Sequence, residues 1–398
     1  MTTSPFRLDA TAQLPHGFTC AATNCGLKRE GYDLALFAAD RVCTAAAVFT
    51  RNHFPGAPIV LGRERMAGGQ LQAVVVNSKV SNVGTGDEGV RRARAMGAAA
   101  ARELGVDEGL VLVASTGVIG VPLPIERIEA GLQGLSQRLQ VDPLEGARGI
   151  MTTDTHPKAI SGTVPTRAGG EARLCIVAKG AGMIAPNMAT MLAYVFTDAA
   201  ISRDELDARL RRVADATFNM LSVDTDTSTS DMCAVLASGS AGEVDPALFE
   251  AALLELSTRM TEMLARDGEG ATRLLRVRVS GGASIEDARA VARSLGESPL
   301  IKTMVHGGDP NVGRILMAVG KCIAVPMQPD RVNAWIGEHQ VVVDGRRGAF
   351  DDAVVRQQLL GDEVEIRVEL GLGQSEATAW GCDLSHGYVD ENAAYYSS

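Results

Sequence analysis

Lys179-Gly-Ala-Gly-Met-Ile-Ala-Pro-Asn-Met-Ala-Thr-Met-Leu192 is the stretch on which the reading of this chain turns. It lies between two apolar runs, residues 174–178 and 192–197, whose aliphatic and β-branched composition predicts strands. Between them Gly180, Gly182, Pro186 and Asn187 crowd into a short irregular segment. Taken alone, the residues describe a strand–loop–strand connection in which Thr190 is an ordinary β-branched residue. They also allow a strained path, because glycine and proline let a backbone adopt conformations that other residues resist.

Working outward, apolar runs at 71–76, 110–114 and 232–236 predict further buried strands, and the strict alternation at 276–279 and 363–368 predicts half-exposed ones. Helices announce their starts. Ser202-Arg-Asp-Glu205 is a capping box predicting a helix to about residue 221. Asp245-Pro246 is a cap followed by proline in the first turn, with Gly268 closing that helix. Ser284-Ile-Glu-Asp287 opens another, and 90–104 and 124–139 complete a mixed α/β inventory.

The 398 residues suffice for one large domain or two ordinary ones, and no repeat or low-complexity tract divides them. A hydrophobic fraction of 46% and a charged fraction of 22% are those of a globular protein. With 38 basic against 48 acidic side chains the net charge is −10, the wrong sign for a nucleic-acid backbone. Aromatics at 4% offer little for base stacking. No run reaches the roughly 20 apolar residues that span a bilayer, and the N-terminus has no signal-peptide pattern, so the expectation is a cytoplasmic protein without membrane partners. Seven scattered cysteines without CxxC read as reduced thiols, and the histidines form no HExxH pair, so no metal site is expected.

Further motifs stand in order along the chain. They are Asp33-Leu-Ala-Leu, Ala47-Val-Phe-Thr-Arg-Asn52, Ala114-Ser-Thr-Gly-Val-Ile-Gly120, Met151-Thr-Thr-Asp-Thr-His-Pro-Lys158 and Ser222-Val-Asp-Thr-Asp-Thr-Ser-Thr-Ser-Asp231. Asp267-Gly-Glu-Gly-Ala-Thr272, Ser298-Pro-Leu-Ile-Lys-Thr303, Asp309-Pro-Asn-Val-Gly-Arg314 and a final Asn392-Ala-Ala-Tyr follow. Together with the 179–192 stretch they cover nearly the whole chain and resemble the glutamate N-acetyltransferase (ornithine acetyltransferase) family of arginine biosynthesis.

That resemblance implies an α/β fold, a four-layer αββα sandwich of the ornithine acetyltransferase type with a smaller C-terminal α/β domain, divided near residue 280 into 1–280 and 281–398. It implies self-cleavage between Ala189 and Thr190 into fragments 1–189 and 190–398, with Thr190 as the new N-terminal nucleophile. The freed α-amine, with an ordinary pKa of about 7.7–8.0, serves as base for the hydroxyl beside it. Thr116 and Gly117 become the oxyanion donors, and Thr153, Lys179, Thr190, Glu269, Asn392 and Ser397 the substrate contacts. A lysine and a glutamate suit the two charges of an amino acid. The implied reaction moves acetyl from N-acetylornithine to glutamate in a ping-pong cycle, releasing ornithine and N-acetylglutamate. No cofactor is implied, and acetyl-CoA is left open as a second donor. The implied partners are the chain's own cleaved fragments, in a heterotetramer or a multiple of it.

Departures from the family pattern are few. Asn77-Ser-Lys-Val-Ser-Asn-Val83 lacks a usual glycine and a middle asparagine, Val312 stands where tryptophan is usual, and Ser397 replaces a terminal threonine. They keep two other readings in view: a paralogue with a different acyl acceptor in a secondary-metabolite pathway, and a non-catalytic amino-acid binder. Asp224-Thr-Asp-Thr-Ser228 echoes a phosphatase nucleophile motif but has Ser where Thr or Val is required. As a calcium loop it has Thr229 for the glycine and Val235 for the glutamate. Gly308 to Gly313 has P-loop spacing, but Arg314-Ile315 replaces the Lys-Ser/Thr that holds phosphate and magnesium.

Overall fold

The structure, a computed structural model, describes residues 6–185 and 191–393. In chain order the first strands are β1 (Arg7–Leu8), β2 (Phe18–Thr23), β3 (Leu34–Phe49), β4 (Gln70–Asn77), β5 (Val111–Ser115), β6 (Lys158–Pro165), β7 (Glu171–Lys179) and β8 (Leu192–Ala200). After them come β9 (Leu221–Ser222), β10 (Met232–Glu243), β11 (Leu274–Gly282), β12 (Asn333–Ile336), β13 (His339–Val343), β14 (Arg346–Arg347), β15 (Glu363–Glu369) and β16 (Ser375–Cys382). The helices are α1 (Ala57–Arg65), α2 (Gly86–Leu104), α3 (Ile125–Leu132), α4 (Pro143–Ile150), α5 (Arg203–Ala216) and α6 (Pro246–Arg266). Those remaining are α7 (Ile285–Glu297), α8 (Pro299–Gly307), α9 (Gly313–Gly320), α10 (Asp352–Leu359) and α11 (His386–Ala393).

Two compact units form, interleaved along the chain so that no single cut separates them. The first draws on residues 1–180, 187–215 and 227–260, the second on 181–186, 216–226 and 261–398. In the first unit the strand order is β1-β6-β7-β8-β10-β3-β4-β5, with β2 also on β3. The long β3 makes this sheet two layers. Its first half pairs with β2 and β4, its second with β10, and the register breaks between Ala38 and Cys43. There the sheet folds over, so that Phe37 of β3 stacks on Phe196 of β8 at 5.2 Å, and Phe18 of β2 meets Phe196 at 5.4 Å.

Period-two alternation explains the continuous apolar strands. Phe37, Val74, Val76, Leu112 and Ala114 point to the seam between layers, where they meet Cys175, Val177, Leu192, Tyr194, Phe196, Met232 and Leu236. Their neighbours Leu36, Ala73, Val75, Val111 and Val113 face outward and are covered by Leu61 of α1, Met96 of α2 and Ile128 of α3. Outward residues of the other layer, Ile176, Val195 and Val235, are equally buried, and α5 and α6 contribute the buried Leu206, Leu210, Val213, Phe249 and Leu253. The αββα order expected from the resemblance is the order that forms.

The second unit has its own sheet, β14-β13-β12-β15-β11-β16-β9. In β11 Val277 and Val279 are buried, while Arg276 and Arg278 on the other face pair with Glu365 of β15 at 3.8 and 3.2 Å. That ladder is the physical content of the alternation at 276–279. Two expected helices end early. The one from Ser202 stops at Ala216, because Leu221 and Ser222 pair in parallel with Trp380 and Gly381. The one from Pro124 breaks at Gly134, whose φ is +75°.

Phe37 joins the two layers of the first unit. Its replacement by alanine should destabilise the chain by about 3–5 kcal/mol, read as a lowered midpoint in denaturant unfolding with an unchanged slope.

Candidate active site

In the first unit β4 and β5 run parallel and end side by side at Asn77 and Ser115. Ser115 Oγ donates to Asn77 Oδ1 at 2.6 Å, and Asn77 Nδ2 donates to the Val80 carbonyl at 2.8 Å. The chain then turns through Thr116 and Gly117. The Thr116 N–H is committed to the Asn77 carbonyl at 3.0 Å, so what Thr116 can offer a ligand is its hydroxyl. Gly117 has φ +128°, and a Cβ there would lie 2.2 Å from the Lys79 carbonyl carbon. Only glycine fits, and among the described residues nothing accepts its N–H. A hydroxyl and a backbone N–H side by side, both free to donate, suit an oxyanion.

Lys79 is the residue against which Gly117 closes: its carbonyl accepts the Val118 N–H at 2.9 Å. Lys79 itself has φ +80°. The family's glycine is missing here, yet the left-handed backbone that glycine would favour is kept, at a cost of about 1–2 kcal/mol for a residue with a Cβ.

Lys179, the last residue of β7, donates from Nζ to Thr116 Oγ1 at 3.4 Å. Its partner on the other side is Asp154, 3.9 Å away. Asp154 is the hub of a buried polar cluster. Its Oδ1 accepts from Lys158 Nζ at 2.8 Å and from the Gly180 N–H at 2.7 Å, and its Oδ2 accepts the Thr152 N–H at 3.0 Å. Burial alone would raise the Asp154 pKa, but Lys179, Lys158 and the hydrogen bonds outweigh it and hold the carboxyl down at about 2. Thr153 is the neighbour of this aspartate in the turn between α4 and β6, half-buried.

The second unit holds the other substrate residues named from the sequence. The Glu269 N–H donates to the Ala181 carbonyl at 2.9 Å. Gly182 leaves room for the Glu269 carboxylate, which a Cβ there would meet at 2.2 Å. Asn392 Nδ2 donates to Glu269 Oε2 at 2.8 Å, so the tail through Ala393 is a docked helix, α11, and not a frayed end. Gly270, at φ +66°, lets α11 approach: a Cβ would lie 2.2 Å from the Tyr388 nitrogen. Asp383 fixes the loop from behind, accepting from the Thr272 N–H, the Thr272 hydroxyl, the Arg273 N–H and His306 Nδ1.

Of the sequence-named residues, then, Thr116, Gly117 and Lys179 come together in the first unit with Thr153 beside their anchor, and Glu269 pairs with Asn392 in the second. Ala189, Thr190 and Ser397 lie outside the described residues. Sequence reasoning missed Asp154 as the anchor, although it stood inside the quoted 151–158 motif; a conserved-looking motif does not say which member is buried. Nor did it assign a role to any single residue of the polar 222–231 run. Asp224 there clamps the Met183 and Ile184 N–H groups at 2.6 and 2.8 Å and takes the Tyr388 hydroxyl at 3.3 Å. A phosphatase nucleophile would need those oxygens free. Gly308, in the P-loop-like spacing, is the left-handed cap of α8 at φ +60°. Among the described residues no His, Cys, Asp and Glu side chains group as metal ligands, and no helix is long and apolar enough to cross a membrane.

A family model described as the ArgJ family matches residues 19–397. The chain belongs to the ArgJ family. A protein named arginine biosynthesis bifunctional protein ArgJ from Rhodococcoides fascians is 45% identical over 392 residues, covering 98% of this chain and 96% of that one. Glutamate N-acetyltransferase Oat2 of Streptomyces clavuligerus is 43% identical, covering 97% and 99%. The crystal structure of the arginine biosynthesis bifunctional protein ArgJ from Bacillus halodurans is 37% identical with a TM-score of 0.50, covering 52% of this chain and all of that one.

Asp154→Asn should cost about 3–5 kcal/mol at neutral pH, because it leaves Lys158 buried without its counter-charge. The folded-state pKa of about 2 lies below the ordinary 3.8. The contribution of the carboxylate is therefore fully present above that ordinary value and lost as pH falls through the folded one. Urea titrations of both proteins should show a stability gap that is constant near neutrality and narrows in acid.

Proposed function

We propose that the chain is a glutamate N-acetyltransferase that takes acetyl from N-acetylornithine onto Thr190 and passes it to glutamate, after scission of the Ala189–Thr190 bond. The observation that carries this is the Thr116–Gly117 turn, where neither the Thr116 hydroxyl proton nor the Gly117 N–H has an acceptor among the described residues, and whose Thr116 oxygen accepts from Lys179 at the start of the motif that contains Thr190.

On this reading the Thr190 hydroxyl first attacks the Ala189 carbonyl; the amide becomes an ester, and water then releases the 1–189 fragment and a free threonine amine. In turnover the amine takes the hydroxyl proton as Oγ attacks the acetyl carbonyl of N-acetylornithine. The carbonyl oxygen becomes an oxyanion that the Thr116 hydroxyl and Gly117 N–H stabilise, each worth about a hundredfold to a thousandfold in rate. The intermediate collapses as the ammonium returns its proton to the departing ornithine nitrogen. Glutamate then repeats the sequence in reverse. Lys179 suits a substrate carboxylate and Glu269 a substrate ammonium. Thr153, Asn392 and Ser397 complete the contacts that the resemblance implies.

The chemistry requires no cofactor, and acetyl-CoA enters, where used, as a donor in place of N-acetylornithine. We infer cleaved fragments that stay together in a heterotetramer or a multiple of it. A cytoplasmic setting suits the seven free cysteines, five of them buried.

Steady-state assays with N-acetylornithine and glutamate should give parallel double-reciprocal lines, and Thr116→Ala should lower kcat by about a hundredfold with little change in KM. Intersecting lines would contradict the acyl-enzyme, and an unimpaired Thr116→Ala would contradict the oxyanion assignment.

A further inference from the structure

Lys28 has no part in the proposed cycle. It stands in the first unit, in the loop of residues 24–33 between β2 and β3. Asp33, buried where that loop ends, accepts the N–H groups of Cys25, Leu27 and Lys28 at 2.7, 2.7 and 2.9 Å. Asn24 Nδ2 donates to the Lys28 and Gly31 carbonyls at 3.2 and 2.6 Å, so the loop is closed on itself. From this backbone the half-buried side chain reaches two further carbonyls: Nζ donates to Tyr32 at 2.9 Å and to Met151 at 2.6 Å. Met151 caps the end of α4 and opens the turn that carries Thr153 and Asp154.

Lys28, Tyr32 and Met151 also line one cavity of about 630 Å³, whose other charged walls are Glu30 of the same loop and Glu145 and Arg148 of α4. Glu145 and Arg148 pair with each other at 3.4 Å. A lysine ammonium has three N–H groups. Two are taken by the carbonyls, and among the described residues the third has no acceptor. Losing that third proton keeps both carbonyl bonds and leaves a lone pair in its place. Burial pushes the ammonium down to about 8, with Lys179 and Lys79 adding to the effect and Asp33 and Asp154 opposing it. At about pH 7.5 such a side chain is the free amine in about one molecule in four, against about one in a thousand for a lysine at the ordinary 10.4.

We propose that Lys28 is a covalent modification site, taking the acyl group of a small thioester that enters this cavity. The amine lone pair attacks the thioester carbonyl and forms the carbon–nitrogen bond. The carbon–sulfur bond breaks, and the proton that the nitrogen gives up goes to the departing thiolate. The product is an uncharged amide with a single N–H. One of the two carbonyls, that of Tyr32 or that of Met151, thereby loses its donor, and the loop's hold on the turn at 151–157 weakens. The step is separate from the Thr190 chemistry and requires neither scission nor turnover.

The test incubates the full-length protein with acetyl-CoA as the thioester, without any amino-acid acceptor, and with Nα-acetyllysine methylamide in the same tube as a reference amine. Acetyl amide at each lysine is followed over time by peptide mass mapping, from about pH 6.5 to about pH 10. Lys28 is expected to be the first of the chain's six lysines to be labelled. At about pH 7.5 it should react about tenfold faster than the reference, its lower basicity giving back part of the gain in free amine. Its rate should climb to about pH 8 and then level. A folded Thr190→Ala should label at the same rate. After identical treatment the wild type should melt about 2 °C lower, while Lys28→Arg keeps its midpoint. Labelling of wild-type Lys28 no faster than the reference overturns the proposal, as does a rate that goes on rising to about pH 10. Loss of labelling in folded Thr190→Ala overturns the direct attack, because the acetyl would then have come by way of Thr190. An unchanged melt of the labelled wild type overturns the weakened hold on the turn.

Discussion

The interaction on which the first unit's functional end depends is the charge cluster at Asp154. Two segments more than twenty residues apart meet there: the turn at 151–157 running into Lys158, and the end of β7 with the amide of Gly180 that follows it. One carboxylate binds both, through Thr152 N–H, Lys158, Lys179 and Gly180 N–H. A buried ion pair is seldom a source of net stability when compared with apolar residues of similar volume, so its value here is geometric. It fixes Lys179 within reach of the Thr116 hydroxyl and fixes the backbone at the entrance to the 181–192 segment.

Around that cluster the fold supplies two kinds of rigidity. Parallel pairing of β4 with β5 and of β8 with β10 places their C- and N-terminal ends in register, so the residues just outside those strands are held by ladder hydrogen bonds. Close backbone approach supplies the other. Gly117 against Lys79 is a place where a Cβ would collide with main-chain atoms. The left-handed Lys79 shows that this chain keeps the turn's shape even where it gives up the residue best suited to it.

Much of this was legible in the sequence, and the reasons differ by element. Buried strands such as 71–76 and 192–197 were plain because both faces are covered and the apolar run is unbroken. The Ser284 capping box is there in full, with Oγ accepting the Asp287 N–H at 3.1 Å. The choice of Thr116, Gly117, Lys179, Glu269 and Asn392 as site candidates came from resemblance; composition alone would have left Thr116 as a strand end. What could not be read was long-range. Residues 34–49 contain Asp40 and Arg41 in the middle, and nothing local says that the strand continues past them and folds the sheet over. The interleaving of the two units, the end of α5 at Ala216 and the docking of α11 on Glu269 each depend on partners more than a hundred residues away.

The most direct measurement of the central claim is the intact mass of the purified chain under denaturing conditions, for the wild type and for Thr190→Ala. The account predicts two fragments from the wild type, 1–189 and 190–398, and one uncut chain from the variant. A wild type that remains a single chain would contradict it, because Thr190 would then have no free amine to act as base, and the Thr116–Gly117 turn would serve binding without transfer.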